Sequence, residues 1–173
     1  MLKRALSMLV LGASPLLAQG PSAVASSRML WENVNNYLVQ SAVDMPAEKY
    51  AYKPTPAVRS FGELIGHVAG SQNMFCAVAM GEKPPAEDAV EKAATTKEAL
   101  VAALKASVAN CQRAYSQSDA EAEGKVDVFG EKQSRLYVLM MNTGHDNEHY
   151  GNIVTYLRMN GMVPPSSRPR AGA

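Results

Sequence analysis

The chain has 173 residues, of which 47% are hydrophobic and 19% charged, and its formal net charge at pH 7 is +1. A chain of this length corresponds to one domain with a single well-buried core. The near-neutral charge argues against nucleic acid as a partner, because the phosphate backbone favours strongly basic proteins.

Residues 1–25 have the composition of a secretory signal peptide. Lys3 and Arg4 form a basic start, and the apolar stretch that follows them is too short to span a bilayer. Cleavage is expected after Ala18 or after Ala25, with an uncleaved N-terminal membrane anchor as the alternative. Removal of the segment leaves 15 basic and 16 acidic side chains, a net charge near −1. We therefore expect an exported protein of the periplasm or cell envelope, with no membrane-spanning segment in its mature form.

Apolar periodicity and turn residues predict four helices, at about 27–43, 60–80, 95–115 and 132–160. Two of these helices begin with a capping-box pattern, formed by Ser60 with Glu63 and by Thr95 with Glu98. Residues 126–129 alternate in polarity but are too few to build a sheet. The pattern therefore predicts an all-α protein.

All three histidines of the chain occur where a metal site needs them. His145 and His149 are four residues apart in the fourth helix, so their Cβ atoms lie roughly 5–6 Å apart on one face. His67, in the second helix, is the only other imidazole. Because these faces are mostly apolar and buried polar groups need partners, the simplest arrangement is an antiparallel four-helix bundle with three imidazoles pointing inward at one end.

Three neutral nitrogens leave a divalent ion with its full charge and an open coordination position, which is the catalytic rather than the structural pattern. Glu148 is predicted either to orient a ligand or act as a base, or to be a solvated carboxylate near the site. Tyr156 shares the histidine face and is predicted to line a pocket. We name Glu148 and Tyr156 as candidate catalytic residues.

The segment from His145 to His149 also matches the inverted zinc-protease pattern His-x-x-Glu-His. That pattern needs an acidic metal ligand far downstream. The 24 residues after His149 contain no Asp, Glu, His or Cys, so this interpretation is disfavoured.

The two cysteines fit either one disulfide, which an exported chain permits, or two buried thiols that pack as small apolar groups. Cys76 is nine residues after His67, which places it on the opposite side of the same helix. It is therefore a poor candidate for the same metal, and whether it meets Cys111 is left open.

Four segments together resemble the DinB-like metalloproteins: Met45–Pro56, Ser60–Val68, His145–Gly151 and Tyr156–Pro165. The resemblance covers nearly all of residues 26–165, and it implies a four-helix bundle followed by a flexible tail at 166–173. It also implies one divalent ion, usually zinc or nickel, at the positions of His67, His145 and His149. Characterised relatives include S-transferases and isomerases that use small thiols such as bacillithiol or mycothiol. Because such thiols are chiefly cytoplasmic, the export signal sets this chain apart from them.

Three functions follow from these observations. The first is a metal-dependent transferase or hydrolase that acts on small molecules, with a low-molecular-weight thiol as a candidate partner. The second is an exported, non-catalytic bundle that binds a metal or a ligand. The third is a structural bundle in which the histidine cluster is accidental. The sequence does not decide whether the chain forms a homodimer.

Overall fold

The computed structural model describes residues 21–169 and is mainly helical. In chain order the α-helices are α1 (Ala23–Asp44), α2 (Phe61–Met80), α3 (Ala89–Ala93), α4 (Lys97–Cys111), α5 (Asp119–Ala122) and α6 (Arg135–Met159). The hairpin strands β1 (Lys125–Val128) and β2 (Glu131–Ser134) precede α6, and single 3₁₀ turns occur at Ala47–Lys49, Ala114–Ser116 and Pro165–Ser167. The long helices α1 and α2 each pack against α4 and α6, so the predicted antiparallel four-helix bundle is confirmed.

Helix α2 begins where the sequence predicts. The Ser60 hydroxyl accepts a hydrogen bond from the Glu63 N–H at 3.2 Å, and the Glu63 carboxylate accepts one from the Ser60 N–H at 2.6 Å. The Ser60 N–H and the nearby Lys53 ammonium together lower the pKa of Glu63 to about 2. The helix ends at Gly81, whose φ of 73° is the left-handed conformation that glycine adopts without strain.

The predicted capping box of the next long helix is wrong. The N-cap of α4 is Thr96 rather than Thr95, and the Thr96 hydroxyl accepts a hydrogen bond from the Ala99 N–H at 3.2 Å. Two adjacent threonines offer the same capping chemistry, and the sequence pattern selects the one that is followed three residues later by Glu98. Packing places the helix start one residue further on.

The prediction that residues 126–129 are too few to build a sheet is wrong, although the protein is mainly helical as expected. β1 pairs with β2 in antiparallel register, and Phe129 and Gly130 form the turn with φ of 50° and 89°. Positive φ at both turn residues is the geometry that suits a tight hairpin, although Asn-Gly rather than Phe-Gly is its usual sequence. Val126 and Val128 are buried in the core. Helix α6 therefore begins at Arg135, after the hairpin.

The core consists of two clusters arranged along the bundle. One contains Phe61, Leu64, Ile153 and Leu157, and the other contains Trp31, Phe75, Tyr115 and Leu139. A disulfide between Cys76 and Cys111 in the second cluster joins α2 to α4, with a Cα–Cα distance of 5.3 Å. The three histidines lie between residues of the two clusters along α2 and α6, and not at one end of the bundle as predicted.

Contacts at both ends of the described chain hold the terminal segments against the bundle. Ser22 is the N-cap of α1, and the Asp119 carboxylate accepts hydrogen bonds from the N–H groups of Ala23 and Val24 at 3.0 Å. At the other end, Arg168 forms an ion pair with Asp44. Most of the predicted signal peptide lies outside the described residues. Within residues 21–169, none of the helices is both long and apolar enough to cross a membrane.

Candidate metal centre

The imidazole rings of His67, His145 and His149 meet between α2 and α6. The Nε2 atom of His149 lies 3.1 Å from Nε2 of His67 and 2.9 Å from Nε2 of His145. One donor nitrogen from each ring lies within 4.8 Å of the other two. Ligands that share a tetrahedral zinc ion at about 2.1 Å are separated by about 3.4 Å, so the three rings need only small movements to hold one ion.

Helix geometry accounts for this convergence. His145 and His149 are one turn apart on α6, and their ring centroids are 4.2 Å apart. His67 reaches across from α2 with its ring perpendicular to that of His149. The ring centroid of Phe75, two turns further along α2, lies 5.7 Å from that of His145, so Phe75 forms an apolar wall beside the centre.

Burial keeps the three imidazoles neutral at pH 7. It is the main cause that lowers the pKa of His67 and His145, and it lowers the pKa of His149 to about 4. Neutral imidazole is the form that binds metal ions. Each ring carries a single proton, so the three converging Nε2 atoms cannot all be satisfied by one another. A divalent cation at their meeting point would satisfy all three, and the donor set therefore fits a metal.

Asn152 lies next to this donor set. Its side-chain amide is 3.4 Å from Nδ1 of His149. With its oxygen turned toward the ring, the amide would accept a hydrogen bond from the Nδ1–H group and leave Nε2 free to coordinate. Nδ1 of His67 and Nδ1 of His145 are both buried and have no hydrogen-bond partner within the described part of the chain.

A pocket of about 430 Å³ opens beside His149. Its polar lining includes Arg59, His149, Asn152 and Tyr156, and residues between Pro54 and Val58 form part of its rim. The Tyr156 hydroxyl donates a hydrogen bond of 2.6 Å to the Arg59 carbonyl, which fixes the rim to α6. The Arg59 side chain donates from Nε to both oxygens of Glu91, at 3.1 and 3.2 Å.

The structure brings the three predicted metal ligands together and places Tyr156 in the same pocket. Glu148 is exposed on α6. Its negative charge acts to raise the pKa of His145 and His149, an effect smaller than that of burial. Cys76 is bonded to Cys111 and takes no part in the centre.

Sequence reasoning missed Glu87. This residue follows α2 in the loop 81–88, and its carboxylate lies 3.9 Å from Nε2 of His67. The Ser71 hydroxyl donates a hydrogen bond of 3.0 Å to the same carboxylate oxygen. No spacing rule connects a loop glutamate with a histidine twenty residues earlier. The only signal is the glycine spacing on α2, where Gly66 and Gly70 allow a backbone segment to pack closely.

Fold and site together define a helical-bundle protein with a three-histidine centre suited to a divalent metal. Residues 30–153 match the family model described as the DinB superfamily. The chain therefore belongs to the DinB superfamily, as the resemblance of its motifs implies.

Solved structures agree with this assignment. A DinB-like protein from Bacillus cereus superposes with a TM-score of 0.70 at 13% identity, covering 80% of this chain and 93% of the other. A DinB-like protein from Bacillus subtilis gives a TM-score of 0.65 at 21% identity, covering 84% and 99%. A mycothiol-dependent maleylpyruvate isomerase gives 0.60 at 16% identity, covering 76% of this chain but 59% of the isomerase. These likenesses establish the fold. No curated protein matches the chain.

Proposed function

We propose that this protein is a metal-dependent enzyme of small molecules, with one zinc or nickel ion held by His67, His145 and His149. The observation that carries the proposal is the convergence of three neutral imidazoles, two buried and one half-buried, whose donor nitrogens lie within 4.8 Å of one another next to an open pocket. A purely structural metal site would be closed by a fourth protein ligand. In this centre the donor set has three protein ligands, and the pocket lined by His149 would give an exchangeable ligand access to the ion.

The reaction class we propose is transfer to or from a small thiol, or a related hydrolysis. The support is membership of a superfamily whose fold is shared by a mycothiol-dependent isomerase. When bound, a divalent ion would lower the pKa of a thiol or water molecule at its open position. Tyr156 and Arg59 would then shape the pocket that receives the second substrate, and Glu148, exposed on α6 beside His149, stays a candidate base.

Metal binding is the first test. We expect protein purified without added metal to contain close to one equivalent of zinc or nickel. We expect His67→Ala to weaken affinity for that ion by at least about 100-fold, because only two nitrogens remain. Asn73→Ala, a change at a half-buried residue of the same helix, is the matched control and should bind like the parent. If all three histidine-to-alanine variants bind one equivalent as tightly as the parent, the proposed centre is wrong.

Turnover is the second test. Metal-loaded protein should convert members of a panel that pairs small thiols with electrophilic acceptors, alongside a panel of hydrolysable esters. Activity should be lost on chelation and in His145→Ala, and it should return when metal is restored to the parent. Stoichiometric metal binding without turnover on either panel would instead support the non-catalytic metal-binding function.

We also propose that the protein is exported and that it is cleaved after Ala18. A disulfide between Cys76 and Cys111 suits an oxidising compartment. Cleavage after Ala25 would remove the N-cap Ser22 and the buried Val24 from α1, so the earlier site is compatible with the folded helix. N-terminal sequencing of protein from the cell envelope should begin at Gln19, and intact Met1 on cytoplasmic protein would contradict export.

Assembly is a separate prediction. A homodimer is a candidate assembly that the sequence leaves undecided, and light scattering of the purified mature protein would measure it. A monomer at every concentration tested would contradict it without affecting the proposed metal centre.

A further inference from the structure

Glu87 reaches the histidine cluster from outside the two helices that carry the cluster. One carboxylate oxygen lies 3.9 Å from Nε2 of His67 and 3.0 Å from the Ser71 hydroxyl. His67 and Ser71 are one turn apart on α2, so the carboxylate lies above the helix face that presents the metal-binding nitrogen. The side chain is 45% exposed, which places it between the centre and solvent.

Close backbone packing holds Glu87 in this position. A Cβ atom on Gly70 would lie 1.9 Å from the Glu87 carbonyl oxygen, and one on Gly66 would lie 2.8 Å from the Glu91 Cα. Both glycines therefore allow the segment from Glu87 to Glu91 to rest directly on α2. Pro84 and Pro85 restrict the chain just before it. The carboxylate is thus fixed by its backbone as well as by Ser71.

The distances separate Glu87 from the metal ligands themselves. A carboxylate that shared the ion would lie about 3.4 Å from each of the three nitrogens. Glu87 is not among the residues whose donor atoms all lie within 4.8 Å of one another. The Glu87 carboxylate therefore lies outside this ligand set, yet at 3.9 Å from Nε2 of His67 it is close enough to contact a group that coordinates beside His67.

We propose that Glu87 is a positioning residue that selects the exchangeable ligand of the metal centre. The inference rests on the proposed function. The Glu87 carboxylate accepts a hydrogen bond from a ligand that bears a proton, such as a water molecule or a thiol. The proton then lies between the ligand atom and the carboxylate. The same negative charge repels ligands that are anionic and have no proton to donate, such as azide.

Cobalt(II) substitution offers a direct measurement, because the visible spectrum of the ion reports the ligand in the open position. The parent and Glu87→Gln are loaded with one equivalent of cobalt and titrated with 2-mercaptoethanol and, separately, with azide. In Glu87→Gln we expect the affinity for the thiol to fall about tenfold, since a hydrogen bond to a charged carboxylate is replaced by a weaker one to a neutral amide. We expect the affinity for azide to rise several-fold.

Three further variants separate the effect of the position of the Glu87 carboxylate from the effect of its charge. Ser71→Ala, which removes the hydroxyl that holds the carboxylate, should change both affinities in the same directions but by less. Gly70→Ala should do likewise, because the added methyl group displaces Glu87 without removing its charge. Glu82→Gln removes a carboxylate of the same loop that pairs with Arg113, and it should leave both affinities unchanged.

The outcomes separate this inference from the proposed function. If the parent binds no cobalt, the metal centre itself is wrong. If the parent binds cobalt and Glu87→Gln has parental affinities for both the thiol and azide, the role of Glu87 is overturned and the centre stands. A loss of cobalt affinity of 100-fold or more in Glu87→Gln would also overturn the inference, because Glu87 would then be a direct ligand.

Discussion

Two buried polar regions lie on the same helix, five residues apart, and they differ in how their polar atoms are satisfied. At Gln72 the side-chain oxygen accepts a hydrogen bond from the Trp31 indole at 3.0 Å, and the amide nitrogen donates to the Ser107 hydroxyl at 3.3 Å. The Ser107 hydroxyl in turn donates to the Leu104 carbonyl at 2.8 Å. Every polar atom in this chain of contacts has a protein partner.

At His67 the buried polar atoms are imidazole nitrogens of three histidines, and they face one another. Three Nε2 atoms converge, and the Nδ1 atoms of His67 and His145 lack partners within residues 21–169. Burying polar groups in this way destabilises a fold unless something compensates. The comparison teaches that burial and polarity alone do not identify a functional site. The distinguishing feature is a set of acceptors that converge without a protein donor.

Gln72→Leu tests the region around Gln72, in which every polar atom has a protein partner, and it should have the largest of the expected effects. The Trp31 indole N–H and the Ser107 hydroxyl would each lose a buried partner, so we expect the free energy of unfolding to fall by about 3 kcal/mol. Urea denaturation would measure it with and without metal, and the loss should be the same in both. Asn73→Leu, which removes only an exposed hydrogen bond to Asn110, should change stability by less than about 0.5 kcal/mol.

The pH dependence of the stability of the metal-free protein tests the region around the three histidines. Burial lowers the pKa of His149 to about 4 from the ordinary value of 6.5. As the pH falls, the unfolded chain takes up the proton first, so stability is complete above pH 6.5 and is lost progressively toward pH 4. The loss should approach about 3 kcal/mol. Urea denaturation of chelated protein at several pH values would show it, and a smaller slope is expected in His149→Asn.

Asp146 offers a second test of how buried polar groups are satisfied. It is buried and follows His145 in the chain, but its carboxylate faces α1, where the Asn35 amide donates a hydrogen bond to it at 2.9 Å. Burial raises its pKa to about 8. In the folded state it holds its proton to higher pH than in the unfolded chain, so it lowers stability as pH rises from about 4 to 8. We expect Asp146→Asn to stabilise chelated protein by about 2 kcal/mol at pH 8 and by much less at pH 4.

Thermal or urea unfolding at the two pH values would measure this gain. Asp127→Asn, at an exposed position of β1, is the control and should show no such pH dependence. A destabilised Asp146→Asn at pH 8 would show that the carboxylate is ionised and compensated in the native state.

Asn152→Ala should have the smallest of these effects. Removing the amide near Nδ1 of His149 would leave that ring less well oriented, and we expect metal affinity to fall by about tenfold. Isothermal titration with zinc would measure it. Asn147→Ala, on the same helix but hydrogen-bonded to the Thr143 carbonyl, should bind zinc like the parent. Equal affinities in both variants would show that Asn152 does not orient the ring.

The sequence predicts the parts of this molecule that depend on short-range patterns. Apolar periodicity, the Ser60 capping box and the four-residue spacing of His145 and His149 are all encoded within a few turns of chain. The three predicted ligands meet in the structure because the helix faces that carry them are mostly apolar and pack against each other. Because α2 packs against α6 in the bundle, the histidine rings on the two helices point toward one another.

The features that escape prediction depend on which segments meet. Whether Cys76 pairs with Cys111 is decided by how α2 lies against α4, which no local pattern records. The hairpin turn uses Phe129 in a left-handed conformation, which is uncommon for a residue with a side chain. Glu87 reaches the centre only because the loop after α2 folds back onto the glycines of that helix.

The loop after α2 packs directly on Gly70, so the residues that would hold the ion and the residue that would select its ligand lie on different segments of the chain. The three histidines lie on rigid helices joined by the core, whereas Glu87 is carried by the eight residues from 81 to 88. An insertion, deletion or exchange within this loop would alter which small molecules the ion accepts without disturbing how the ion is held. A library of grafted loops on an unchanged bundle would therefore be a practical way to diversify the chemistry of this scaffold.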